Sequence, residues 1–157
     1  MKKILITLDY NPSAQKVAET GYGLGKAMNA EIILLHVIED AVYYSSLEYS
    51  PIMGFGGFGG FGMPDVSQIP DEAALKSAAI IFLENTRTHL KDENIAVITE
   101  DGDSADSIVK VAEEMAVDVI VMGSHSRSGL EKIIMGSVTE KVLNHSKIPV
   151  LIIPTKN

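Results

Sequence analysis

The residues that could do chemistry are concentrated in one stretch of the chain. A run rich in glycine and serine begins at Gly123 and ends at Gly129, directly after an apolar segment with the composition of a strand. A second pair of small residues, Gly136 and Ser137, precedes a helical pattern. Small residues let backbone N–H groups approach an anion, and a helix amino terminus carries unpaired N–H groups and about half a positive charge. Because Arg127 could add a charge-assisted hydrogen bond, this spacing favours phosphate binding.

A purely structural explanation accounts for the same residues about as well. Gly123 could make a turn, Ser137 could cap its helix, and the Arg127 side chain could extend into water. Ser137 and Glu140 match the S-x-x-E pattern of a capping box, in which the serine hydroxyl accepts from the third N–H of the helix. From the residues alone, both explanations stay open.

Three earlier glycines, Gly21, Gly23 and Gly25, are spaced like part of a dinucleotide-binding fingerprint. A glycine turn of that kind must directly follow a strand and open a helix, whereas these glycines lie near the end of the first predicted helix. We therefore expect close helix–sheet contact or helix termination. The chain also lacks the G-x-x-x-x-G-K-[ST] pattern of a P-loop, and no pair of nucleophile and base is evident. No catalytic residue is assigned.

The elements that must position these residues alternate along the chain. Short β-branched and apolar runs predict strands, several of them buried on both faces of a parallel sheet. The predicted strands are residues 4–8, 31–37, 95–99, 117–122 and 150–153. Segments with helical spacing separate them. This alternation predicts a three-layer α/β/α, Rossmann-like open sheet of five parallel strands with about four helices, in a single domain spanning residues 1–157.

Helix starts can be predicted from local patterns. Asn11 and Pro12 predict a cap residue followed by proline at the first helical position. Asp71 and Asp103 place a carboxylate at two further helix entries.

One segment, residues 39–69, is longer than most connections between a strand and a helix. Its centre repeats a Phe-Gly-Gly unit over residues 54–62 and carries three of the four phenylalanines. One explanation is a flexible insertion, since glycine raises the entropy lost on ordering. The other is a lid or a partner-docking loop, because phenylalanine side chains favour burial.

Composition limits the classes of function. The chain has 157 residues, a net charge of −8 and no cysteine. An acidic balance argues against nucleic-acid binding, which draws much of its affinity from phosphate neutralisation. The absence of cysteine excludes disulfides and thiolate chemistry. No apolar run approaches the ~20 residues of a membrane span, and the first residues resemble a strand rather than a signal peptide. We expect a cytoplasmic protein.

Five segments of the chain follow the sequence pattern of one known family, and they are residues 3–9, 34–37, 118–125, 136–142 and 149–154. Through these segments, nearly the whole chain resembles the universal stress protein family. ATP-binding members are similar in carrying G-x2-G-x9-G-[ST] after the fourth strand. Here Gly123 takes the first position and Gly136 with Ser137 the last pair, with the spacing intact. Ser126 stands where the family has its middle glycine.

The resemblance implies a site for ATP, with Mg²⁺ or Mn²⁺. Asp9 would lie near ribose, phosphate or the divalent ion, although a role in capping the first helix is an open alternative. The backbone of Val37 would face the adenine edge, and Met122 and Gly123 would lie beside the sugar and phosphates. The remaining residues would contact phosphate through side chains, N–H groups or hydroxyls, and they are Ser126, Arg127, Gly136, Ser137, Val138 and Thr139.

Two functions of different classes follow. The first is an ATP-binding stress-response regulatory protein with little or no turnover. The second is a nucleotide-free dimeric scaffold, because branches of the family that lack the motif do not bind ATP and Ser126 departs from it. The sequence does not separate ATP from AMP or a cyclic nucleotide as the ligand. In both cases we expect a homodimer formed through the C-terminal strand, Val150–Ile153, since exposed strand edges tend to be paired.

Overall fold

Strands and helices alternate along the described part of the chain. The computed structural model describes residues 1–40, 71–124 and 135–155. The elements are β1 (Lys3–Thr7), α1 (Ala14–Ala27), β2 (Glu31–Ile38), α2 (Glu72–Leu90), β3 (Ala96–Asp101), α3 (Ser104–Glu114), β4 (Val119–Gly123), α4 (Ser137–His145) and β5 (Val150–Ile153). The predicted strands are confirmed with ends displaced by one or two residues. The glycine- and phenylalanine-rich segment lies almost entirely outside the described residues.

The five strands form one parallel sheet in the order β3-β2-β1-β4-β5. From β1 the chain moves outward to β2 and β3, and then returns to the other side of β1 for β4 and β5. The predicted fold class is therefore confirmed. The strand order reverses between β1 and β4, so the carboxyl ends of these two strands border a crevice, which is where open α/β sheets bind their ligands.

Two hydrophobic clusters cover the two faces of the sheet. Ile4 and Ile6 of β1 face a cluster that includes Phe82 of α2 and residues of α1. Leu5, between them, faces a second cluster with α3 and α4, including Val142. Successive side chains of a strand point to opposite faces, so a strand covered on both sides is apolar throughout. This explains why the predicted strands lack alternation.

The helix entries at Asp71 and Asp103 are confirmed. The Asp71 carboxylate accepts a hydrogen bond from the Ala74 N–H at 2.7 Å, and that of Asp103 accepts from the Asp106 N–H at 3.0 Å. Each interaction satisfies one of the helix N–H groups that lack an intrahelical partner.

The predicted start of the first helix is wrong by two residues. Ser13 is the cap residue and α1 begins at Ala14. Asn11 instead folds a turn ahead of the helix, because its side-chain oxygen accepts hydrogen bonds from the Ser13 N–H at 3.0 Å and the Ser13 hydroxyl at 2.7 Å. Such turns compete with helix formation and delay the first helical residue.

Two of the three glycines in α1 allow close contact with the sheet. A Cβ added at Gly21 would lie 2.8 Å from Cδ1 of Ile6, and one at Gly25 would lie 2.7 Å from Cδ1 of Ile32. A Cβ at Gly23 would meet no atom within 4 Å. The expected helix–sheet contact is confirmed at Gly21 and Gly25.

Among the described helices, none is long and apolar enough to cross a membrane.

Candidate functional site

The candidate site begins where β1 ends. The Thr7 hydroxyl donates to the Val121 carbonyl of β4 at 3.4 Å, and the Leu8 N–H donates to the Leu35 carbonyl of β2 at 2.9 Å. These hydrogen bonds hold the carboxyl end of β1 to both neighbouring strands. Asp9 follows immediately and is exposed.

Asp9 does not cap α1, so that alternative is wrong. Its carboxylate accepts a hydrogen bond from the Asn11 N–H at 3.2 Å, within the turn that precedes the helix. The cap position belongs to Ser13. The sheet therefore carries an exposed carboxylate at the strand-order reversal.

The amino terminus of α4 forms the other side of the crevice. Gly136 is its cap residue, with an extended backbone at φ −60° and ψ 150°, and a glycine has no side chain that could accept a cap hydrogen bond. The predicted capping box is wrong, because Ser137 is already the first helical residue and cannot serve as the cap. The Gly136 carbonyl accepts from the Glu140 N–H at 3.0 Å. The cap residue itself therefore offers no side-chain acceptor to the N–H groups that precede Glu140 in the helix.

Thr139 joins α4 to the end of β4. Its hydroxyl donates to the Gly123 carbonyl at 3.1 Å, and Thr139 is only 4% exposed. This contact brings the first turn of α4 to the last residue of β4. Gly123 is in turn paired with Ile153 of β5.

Several predicted site residues therefore lie close together, but they differ in whether the backbone or the side chain is accessible to a ligand. Met122 is 4% exposed and its side chain packs in the core, so its backbone is the part nearest the crevice. The Val138 side chain packs partly against the same cluster, while Ser137 is exposed. Val37 lies near the carboxyl end of β2, with its side chain in the core. Ser126 and Arg127 lie outside the described residues.

Beyond β4, the sheet is extended on the β5 side. The Ser124 N–H donates to the Ile153 carbonyl at 3.0 Å, and the Ser124 hydroxyl accepts from the Thr155 N–H at 3.2 Å. The start of the connection from β4 is therefore fixed to the last strand.

His36 is a residue near the site to which the sequence analysis assigned no role. It is 3% exposed, and its Nδ1 lies 2.7 Å from the Leu8 carbonyl oxygen. Because a carbonyl only accepts, Nδ1 carries the proton. The ring packs against Tyr10 and Phe82, with centroid distances of 4.5 and 5.9 Å. The sequence signal that could have indicated this role is a histidine inside an otherwise apolar strand.

Burial lowers the pKa of His36, since it disfavours the imidazolium, and the Leu8 carbonyl and nearby Asp9 oppose this effect. The ring is therefore held neutral, and it supports the backbone just before Asp9.

Lys141 is a second residue that helps to position α4 and that the sequence did not indicate. Its ammonium lies 3.0 Å from a carboxylate oxygen of Asp103 and 3.3 Å from one of Asp106. The hydrogen bond to Asp103 is the main reason that the pKa of Lys141 is raised. This ion pair links α4 to the amino terminus of α3.

Metal ligation by protein side chains alone finds no support within the described ranges, where no three histidine, aspartate or glutamate residues are grouped to hold an ion. Asp9 is an exposed carboxylate just after β1, one of the two strands that border the strand-order reversal.

The chain belongs to the universal stress protein family, whose sequence pattern matches residues 1–55 and 59–154. Universal stress protein MJ0577 of Methanocaldococcus jannaschii is 33% identical over 158 aligned positions, which cover 99% of this chain and 96% of that protein. Universal stress protein YxiE of Bacillus subtilis is 29% identical over 153 positions, covering 96% and 97%.

Solved structures agree with this assignment. The structure of MJ0577 superposes with a TM-score of 0.71 at 32% identity, covering 99% of this chain and 97% of that one. A universal stress protein solved in complex with cAMP superposes with a TM-score of 0.65, covering 99% and 98%, and at 18% identity it demonstrates the shared fold.

Proposed function

We propose that this protein binds an adenine nucleotide, in the first instance ATP with Mg²⁺ or Mn²⁺, and acts as a stress-response regulatory protein with little or no turnover. One observation carries the proposal. The amino terminus of α4, whose cap residue Gly136 has no side chain, is held by Thr139 against the end of β4, at the place where the strand order reverses. Helix N–H groups and dipole at such a position favour the negative charge of phosphate.

The phosphate contacts are assigned mainly to the backbone. The N–H groups of Ser137, Val138 and Thr139 belong to the first turn of α4, and Gly123 allows phosphate oxygens to approach β4 without meeting a side chain. The exposed Ser137 hydroxyl can add a further hydrogen bond. A site of this kind suits a protein of net charge −8, since the attraction is local.

Ser126 and Arg127 are assigned to the same phosphates, as the family resemblance implies. Both lie outside the described residues, so this assignment rests on their place in the glycine pattern.

Asp9 is assigned to the ribose or to a divalent ion bound with the nucleotide. Its carboxylate is exposed while the Asn11 N–H fixes its orientation. A hard cation such as Mg²⁺ takes oxygen ligands and commonly binds through one or two carboxylates together with substrate phosphates. The backbone of Val37, near the end of the neighbouring strand β2, is assigned to the adenine edge.

The composition of the site favours binding over hydrolysis. Its described residues contribute N–H groups, hydroxyls and the Asp9 carboxylate, with no paired nucleophile and base. A universal stress protein of the same fold has been solved with cAMP. This relative supports an adenine nucleotide as the ligand class.

A second candidate is a nucleotide-free dimeric scaffold. Ser126 in place of the middle glycine of the motif favours the nucleotide-free state. The dimer is favoured by the position of β5, which is the last strand of the sheet and carries Leu151 with 37% of its surface exposed. An apolar edge strand of this kind tends to be covered, and pairing with a second copy would cover it.

Thermal unfolding with and without MgATP separates the two candidates. Binding stabilises the folded state by about 2.7 kcal/mol at a hundredfold excess over Kd, which raises Tm by several degrees. Gly136→Leu should abolish this shift by crowding the phosphates, and because its φ of −60° suits any residue, the fold should survive. Gly23→Leu, on an open face of α1, is the matched control. An unshifted wild-type Tm at millimolar MgATP would favour the scaffold.

A further inference from the structure

We infer that Thr139 is a positioning residue whose hydroxyl holds the first turn of α4 against β4, rather than a group that hydrogen-bonds the phosphates. This inference rests on the proposed function and deepens it. It changes the role expected for the Thr139 hydroxyl, while leaving its backbone N–H among the phosphate contacts.

The hydrogen-bonding capacity of the hydroxyl carries the argument. A hydroxyl has one proton to donate, and in Thr139 that proton is directed to the Gly123 carbonyl at 3.1 Å. Phosphate oxygens of a bound nucleotide are acceptors at neutral pH, so they need a donor. The same proton cannot serve both acceptors. Because Thr139 is only 4% exposed, its side chain is also packed against other residues of the protein rather than directed into open space.

The acceptor of this hydrogen bond is itself well fixed. Gly123 is the last residue of β4 and pairs with Ile153, and the next residue, Ser124, donates to the same strand. The hydroxyl therefore connects α4 to the rigid end of the sheet. Among the described residues, α4 is also linked to α3 by the ion pair between Lys141 and Asp103, which is exposed and of a kind that contributes little to stability.

Removal of the hydroxyl should loosen the first turn of α4 before any ligand arrives. The Gly123 carbonyl would lose its donor, and the N–H groups of Ser137 and Val138 would no longer be held at a fixed distance from β4. Nucleotide binding would then have to order this turn, which weakens affinity. We expect Thr139→Val, which keeps the shape, to bind MgATP about tenfold more weakly, the loss typical of one hydrogen bond.

Two variants and one control test the inference. Thr139→Ser restores a hydroxyl and should restore affinity. Thr86→Val is the matched control, since Thr86 is fully buried in α2, on the opposite face of the sheet from α4, and donates to the Phe82 carbonyl at 2.9 Å. The measurements are MgATP affinity by titration calorimetry and hydrogen exchange of the Glu140 amide in ligand-free protein. That amide donates to Gly136 across the first turn.

The expected result is a coupled change. Thr139→Val should weaken affinity and accelerate exchange of the Glu140 amide, Thr139→Ser should reverse both effects, and Thr86→Val should change neither. Weaker affinity with unchanged exchange would instead identify the hydroxyl as a direct ligand and overturn the inference. Faster exchange with unchanged affinity, failure of serine to rescue, or equal weakening by Thr86→Val would also overturn it.

Wild-type protein is measured first, and if it binds no nucleotide the proposed function fails and the positioning role fails with it.

Discussion

His36 and Leu8 are joined by a hydrogen bond of 2.7 Å from the imidazole Nδ1 to the backbone carbonyl, reaching from near the carboxyl end of β2 to the residue just after β1. Because the next residue is Asp9, this bond fixes the backbone at the start of the candidate site. It also places a titratable ring in a fully buried position.

The pKa of His36 has a consequence for stability. Its folded-state pKa lies below the unfolded value of about 6.5, so the unfolded chain binds the additional proton first as pH falls. The free energy of unfolding should therefore decline as pH drops below about 6.5, with a slope of up to about 1.4 kcal/mol per pH unit. Urea unfolding between pH 8 and 5 measures this decline in the free energy of unfolding.

The matched variants for this test are His36→Gln and His145→Gln. Glutamine also carries an N–H donor but does not titrate, so His36→Gln should flatten the decline. His145 is exposed in the last turn of α4, and its replacement should leave the decline in place. A pH profile unchanged by His36→Gln would contradict the assignment.

The glycines of α1 should respond in opposite directions to the same substitution. Gly25→Ala places a Cβ 2.7 Å from Ile32 and should cost about 1–3 kcal/mol of the free energy of unfolding, as overpacked sites do. Gly23→Ala meets no atom within 4 Å and should stabilise by up to about 1 kcal/mol, because alanine favours the helix. Denaturant unfolding of both variants checks the pair, and equal effects would be inconsistent with the observed contact.

Ala116, just after α3, has a left-handed backbone with φ of 51°. A Cβ is unfavourable there, and glycine is free of this cost. Ala116→Gly should raise the free energy of unfolding by about 0.5–1 kcal/mol. Ala78→Gly, inside α2, should lower it by about the same amount. Finding that Ala116→Gly destabilises would mean that the turn is not left-handed.

The edge strand β5 provides a test of assembly. We expect a homodimer formed through Val150–Ile153, and Leu151→Lys should convert it to a monomer because an exposed lysine on a strand edge opposes pairing. Sedimentation at micromolar concentration measures both forms. A wild-type monomer would remove the homodimer from the account and leave the scaffold candidate without its basis.

Some features could be predicted from the sequence because their causes are local or periodic. Strands buried on both faces are necessarily apolar, and acidic caps such as Asp71 act within one helical turn. The predicted starts of α1 and α4 are wrong because each local sequence pattern fits two different structures. Asn11 fits both a cap and a turn, and Ser137 fits a capping box although Gly136 holds the cap position.

The rest of the candidate site depends on distant parts of the chain. The bond from Thr139 to Gly123 requires the return of α4 to the end of β4, and the bond from His36 to Leu8 requires the register of β1 and β2. Neither register nor helix placement can be obtained from residue spacing alone. The sequence could therefore indicate candidate residues for the crevice, while the hydroxyl and imidazole contacts needed the structure.

The most direct test of the central claim is titration calorimetry of freshly purified protein with MgATP, combined with mass spectrometry of small molecules released on denaturation. We expect saturable binding at one site per chain, or co-purified adenine nucleotide that already fills it. Absence of both bound nucleotide and measurable heat at millimolar MgATP would contradict the nucleotide site at the amino terminus of α4.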